Sequence, residues 1–134
     1  MQTAGKVWWA LLSAAAMAWL MPACGGSDTS PSNNGGGPPV STTTITIANN
    51  AVSPANIVVA QGSQVTFVNN DSRSHEMFSD PHPEHTDCPE INAVGFLSAG
   101  QRRQTENLNT IRTCGFHDHN DPARKTLQGT IVIQ

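Results

Sequence analysis

A thiol and two imidazoles lie within six positions near the C-terminal end of the chain, at Cys114, His117 and His119. Cysteine sulfur and histidine nitrogen are the ligands that copper and zinc prefer in proteins. The five histidines of the 134-residue sequence all fall in one stretch, and they are His75, His82, His85, His117 and His119. This concentration predicts a metal site in the C-terminal half of the chain.

The elements that must position these side chains are expected to be short strands. Apolar and polar residues alternate over segments bounded by Asn, Gly, Ser and Pro, and no segment has a convincing helical period. The predicted strands are 42–47, 57–59, 64–68, 74–78, 95–97, 108–113 and 128–134. This pattern is typical of an all-β domain, an antiparallel β-sandwich or barrel. The strand at 74–78 places His75 and Met77 on one face.

The N-terminal part of the chain is expected to be a leader and a tether. Residues 1–24 have the positive start, short apolar run and small residues of a secretory signal, too short for a comfortable membrane span. The sequence Met-Pro-Ala-Cys ending at Cys24 is typical of a lipobox, which predicts lipidation of Cys24; ordinary cleavage that discards Cys24 is the alternative. Residues 25–40 are rich in Gly, Ser, Asn and Pro, which predicts a flexible tether before a single domain at 41–134.

Charge and compartment narrow the class of protein further. The formal net charge is −3 and there is no basic patch, which argues against a nucleic-acid partner. Export to the periplasmic or cell-surface side of a bacterial membrane implies an oxidising environment, in which the state of the cysteines becomes important. We expect a lipid-anchored monomer.

Two separate motifs resemble those of the cupredoxin family, the small blue-copper proteins of the plastocyanin and azurin type. The segment 61–71 (QGSQVTFVNND), followed by His75, is similar to the run that precedes the first copper histidine in that family. Cys114-x-x-His117, followed by a loop and the strand 128–134, is similar to its second ligand motif. The resemblance implies a Greek-key antiparallel β-sandwich, copper as the cofactor, and single-electron exchange with a redox partner protein rather than enzymatic activity.

Carried over residue by residue, the resemblance implies His75, Cys114 and His117 as the copper ligands. A thiolate with two imidazoles in a trigonal arrangement binds both Cu(I) and Cu(II), so the electron moves with little ligand rearrangement. The family's axial methionine falls on Leu127 here, which cannot ligate. Met77 or His119 would then complete the site, unless it has three ligands.

A disulfide between Cys88 and Cys114 is the alternative. Once Cys24 is lipidated, these are the only two cysteines left in an oxidising compartment. The bond would remove the thiolate and leave a histidine-rich copper or zinc site. The remaining donors would be His75, His82, His85, His117 and His119, together with Met77. Such a protein would carry or sequester copper, with a copper donor or acceptor as its partner. A sandwich without metal is a further alternative.

Overall fold

The structure, a computed structural model, describes residues 37–134. The predicted signal, the lipobox at Cys24 and most of the predicted tether lie outside these residues. No helix in the described part of the chain is long and apolar enough to span a membrane.

Strands dominate the described part of the chain. They are β1 (Val40–Ser41), β2 (Thr44–Ala48), β3 (Ala51–Ser53), β4 (Asn56–Val59), β5 (Thr66–Asn69), β6 (His75–Ser79), β7 (Gly95–Leu97), β8 (Arg102–Gln104), β9 (Arg112–Asp118) and β10 (Gln128–Ile133). The only helical segments among the described residues are two short 3-10 helices, Pro89–Ala93 and Lys125–Leu127. The all-β prediction is confirmed.

Two sheets form the sandwich. Six strands in the order β1-β4-β10-β9-β6-β7 make one sheet, and four in the order β3-β2-β5-β8 make the other. Most neighbours are antiparallel, as predicted. The pairs β1–β4, β4–β10 and β2–β5 are parallel, so both sheets are mixed.

Apolar side chains from the two sheets meet between them. Ile45 and Ile47 alternate with less buried residues along β2, and Phe67 faces inward from β5. The ring of Phe67 meets that of Phe116 on β9 edge to face, with centroids 5.2 Å apart. Such a pair contributes about 0.5–1.5 kcal/mol beyond the burial of its area. Phe116 therefore marks the face of β9 that points into the core.

The direction of Phe116 determines where the other side chains of β9 point, because successive side chains of a strand face opposite sides. Cys114 and Asp118 share the inward face with Phe116, and Cys114 is paired with the buried Ile131 of β10. His117 lies on the opposite, outer face of the sheet. His119, directly after the strand, continues that alternation.

Candidate metal centre

Four of the five histidines come together on this outer face. Their ring nitrogens lie within 4.8 Å of one another, one from each of His82, His85, His117 and His119. β9 and the residue after it supply His117 and His119, and the loop that follows β6 supplies the other two. The side chains range from exposed His82 to buried His117, so the cluster opens to solvent on one side.

One pair of these nitrogens has the spacing expected around a first-row metal ion. Nδ1 of His119 lies 3.2 Å from Nε2 of His85. Metal–nitrogen bonds of about 2.0–2.1 Å in a tetrahedral site place neighbouring ligand nitrogens roughly 3.3 Å apart. The same two nitrogens share an N–H···N hydrogen bond when no ion is bound.

His117 gives the sharpest test of whether these residues fit a metal. Its Nε2 atom is buried, and no residue of the described chain is its hydrogen-bond partner. Its other ring nitrogen, Nδ1, lies 2.6 Å from Oδ1 of Asp80. A buried polar atom without a partner costs about 1–3 kcal/mol. A cation among the four imidazoles would give this nitrogen its partner, so the donor set fits a metal.

The loop between β6 and Pro89–Ala93 is anchored at several points. Cys88, at its end, forms a disulfide with Cys114 of β9. The side chain of Asn92 accepts a hydrogen bond from the Ser79 backbone N–H and donates one to the His85 carbonyl, both 2.9 Å long. These contacts hold the loop histidines against β9.

An aromatic contact orients His85 within the loop. Phe78 on β6 stacks against the imidazole at a centroid distance of 4.6 Å and an interplanar angle of 18°. Phe78 pairs with His117 across the sheet, so it lies on the same outer face. This contact covers one face of the His85 ring and fixes its orientation.

The surroundings of His85 favour its neutral form. Burial lowers the pKa of His85, and the neighbouring imidazoles of His117, His119 and His82 lower it further, while Glu84 acts in the opposite direction. A neutral imidazole is the form that binds metal ions. Fewer protons therefore compete with a metal at this ligand near neutral pH.

The structure does not assemble the trio His75, Cys114 and His117. Cys114 is bonded to Cys88 and has no thiolate to offer. His75 faces the core, where its ring nitrogens contact Asp118 at 2.7 Å and Asp71 at 2.9 Å. His117 faces the other side, because it lies three positions after Cys114 within one continuous strand. A Cys-x-x-His motif reaches one ion only where the chain leaves the strand between the two residues.

The other predicted donors are likewise split between the core and the outer face of the sheet. Met77 is fully buried on the core face of β6, and Leu127 is also buried. His82, His85 and His119 are brought to His117. Sequence reasoning missed Asp80 and Asn92. The signal for Asp80 was weak, because it is one carboxyl among several acidic residues in that stretch.

No protein-family model and no curated protein matches the chain. Several solved structures are similar to it. A purple cupredoxin from Nitrosopumilus maritimus is 18% identical, with a TM-score of 0.54 over 69% of this chain and 100% of that one. Plastocyanin from the fern Dryopteris crassirhizoma is 18% identical, with a TM-score of 0.54 over 68% of this chain and 99% of that one. This chain has the cupredoxin fold. A mutant of amicyanin, in its Cu(I) form, is 16% identical, with a TM-score of 0.54 over 68% of this chain and 80% of that one.

The cupredoxin fold explains why both sequence motifs lie in the expected order. It does not determine the ligand set, because identities of 16–18% leave individual site residues open to change. In this cupredoxin-like sandwich four of the five histidines gather on the outer face of the larger sheet. The cysteine of the second motif lies in the core.

Proposed function

We propose that the protein binds one copper ion through four imidazoles and carries or sequesters it. The ligands are His82, His85, His117 and His119. The observation that carries this proposal is that the buried Nε2 of His117, one of the four clustered histidines, has no partner within the described chain. The ion takes the place of that missing partner.

Copper is proposed over zinc for two reasons. Divalent copper stands above zinc in the general order of affinities for nitrogen ligands. The solved amicyanin that shares this fold is a Cu(I) form. Because neither a thiolate nor a thioether of residues 37–134 reaches the cluster, the donor set suits Cu(II) better than Cu(I), which prefers sulfur. The partner is then a copper donor or acceptor.

Single-electron transfer is the second candidate, and the likeness to plastocyanin and amicyanin favours it. In the form implied by the sequence resemblance it uses a Cys114 thiolate and a redox partner protein. That form requires the bond between Cys88 and Cys114 to be open and Cys114 to turn away from the core.

We place this activity outside the cytoplasm. The leader and the expected lipid anchor at Cys24 would hold the domain on the outer side of a bacterial membrane through the tether 25–40. A disulfide is the form that two cysteines take in an oxidising compartment, which supports this location. We expect the protein to act there as a monomer.

Titration of the exported protein with Cu(II) against a competing chelator tests the proposal. We expect one ion per chain, and a loss of affinity of at least about 10–100-fold in His85→Ala and in His119→Ala, since removing a ligand should cost no less than removing its supporting partner. Thr86→Ala is the matched control, because Thr86 is an exposed neighbour of His85 in the same loop. Equal affinity in all four proteins, or no saturable binding, would contradict the proposal.

A further inference from the structure

We propose that Asp80 is a positioning residue that holds His117 in the single tautomer able to bind the ion. This inference rests on the proposed copper site. Oδ1 of Asp80 lies 2.6 Å from Nδ1 of His117. Asp80 itself points a carboxylate at the rear of the ring and does not belong to the cluster of ligand nitrogens.

The chemistry of the contact assigns the proton. A carboxylate only accepts hydrogen bonds, so Nδ1 of His117 must carry the hydrogen that lies between the two groups. In a neutral imidazole the other nitrogen then has a free lone pair. That nitrogen is Nε2, the buried atom without a partner in the described chain. Asp80 therefore exposes the lone pair of His117 to the cluster and prevents the ring from flipping.

The backbone holds Asp80 at this place. Its N–H donates to the Gly115 carbonyl over 3.0 Å, which extends the pairing of β6 with β9 by one residue. Its carbonyl accepts a hydrogen bond of 2.8 Å from the Asp87 N–H, which closes the loop. The side chain reaches His117 from this fixed position.

Gly115 provides the space that the carboxylate occupies. A Cβ added at Gly115 would overlap Oδ2 of Asp80 and lie 2.9 Å from its Cγ. Real Cβ atoms essentially never approach so closely, so any larger residue would displace the carboxylate. The glycine between Cys114 and His117 is thus part of the metal centre, although it offers no ligand.

A carboxylate behind a ligating histidine fixes the ring and makes the ligand more basic, and its loss typically lowers metal affinity by about 10–100-fold. We expect Asp80→Ala to lose about that factor in Cu(II) affinity. Asp80→Asn should lose less, since its amide oxygen still accepts the Nδ1–H bond. Asp87→Asn, an exposed carboxyl in the same loop, should bind copper like the wild type.

A second readout needs no copper. The ¹⁵N shifts of the His117 ring in the metal-free protein report which nitrogen carries the proton. The wild type and Asp87→Asn should show the Nδ1–H tautomer alone, and Asp80→Ala a mixture. If Asp80 contributed only to folding, Asp80→Ala would keep the wild-type ¹⁵N shifts of the His117 ring. If the wild type fails to bind copper, the proposed function is wrong. The ¹⁵N shifts would still show whether Asp80 determines the tautomer of His117.

Two results would overturn the inference. One is an unaltered Nδ1–H tautomer in Asp80→Ala. The other is an altered tautomer with wild-type copper affinity. Gly115→Ala provides an independent variant, because its methyl group displaces the carboxylate while Asp80 stays in the chain. It should reproduce the tautomer mixture of Asp80→Ala; a wild-type spectrum would count against the role of Gly115.

Discussion

His75 occupies its predicted position in the fold, but its ring nitrogens contact carboxylates and do not join the predicted ligand set. It lies on the predicted face of β6, buried, with a carboxylate at each ring nitrogen. Asp118 is one of them, and its other oxygen accepts the backbone N–H groups of Glu76 and Asn120. His75 thus joins three segments beneath the proposed metal centre and has no nitrogen free for an ion.

Asp71, the second carboxylate on His75, makes this contact sensitive to acid. Burial by itself raises the pKa of Asp71, but the N–H of Asn50, the ring of His75 and the N–H of Asn49 together outweigh it and lower the pKa. A carboxyl with a lowered pKa in the folded state adds stability above its unfolded pKa. That stability is lost as the pH falls through the folded value.

We therefore expect the free energy of unfolding to decrease as the pH falls below about 4, near the ordinary pKa of an aspartate. Asp71→Asn should be less stable than the wild type at neutral pH and should lose less stability on acidification. Denaturant titrations from neutral pH down to about pH 3 measure both effects, with Asp87→Asn as the control. The same pH slope in Asp71→Asn and in the wild type would contradict this assignment.

At the scale of elements, the continuity of β9 decides the nature of the site. The sequence predicted a strand over 108–113 that ended before Cys114 and His117. Strand β9 instead runs to Asp118 and pairs with β10 from Arg112 to His117. Two residues three positions apart in a strand cannot face the same side. Residue types alone indicated a metal, and the extent of the strand determines which residues form the proposed site.

The disulfide between Cys88 and Cys114 stabilises the element that carries His82 and His85. The two cysteines are 26 positions apart. Closing a chain of that length stabilises the folded state by about 3–4 kcal/mol in the chain-entropy account. The bond also limits how far the loop moves from β9.

Replacing both cysteines by serine should lower the free energy of unfolding by about 3–4 kcal/mol. It should also weaken Cu(II) binding, because the loop histidines are held less firmly against His117. Denaturant titration and copper competition measure the two effects, and the untreated wild type, with its disulfide intact, is the control. Unchanged copper affinity in a folded double-serine variant would show that the disulfide has no part in forming the site.

At the scale of the whole molecule, much of the sandwich was predictable. The alternating strands β2, β5, β6 and β10 were found from periodicity, within about two residues. β1, β3 and β8 were missed, because two or three residues are too few to show a period and Arg102–Gln104 is exposed throughout. The parallel pairs depend on contacts between distant segments, which local patterns do not encode.

Separation along the sequence also explains why some contacts of the site were not predicted. All four histidines of the proposed site were among the predicted donors, but the choice between them and His75 depended on which face each occupies. Asp80 reaches His117 across 37 positions, and Phe78 reaches His85 through the fold of the loop. Contacts of this kind follow from tertiary structure.

The measurement that tests the four-imidazole centre most directly is a thiol count on the exported protein, followed by the visible and EPR spectra of its Cu(II) form. We expect no free thiols, only a faint visible band, and EPR coupling to several nitrogens. Cys88→Ser should give a similarly faint band, because its free Cys114 still faces the core. Free thiols together with an intense thiolate-to-copper band at about 600 nm would show Cys114 to be a ligand, and that result would contradict the assignment to histidines.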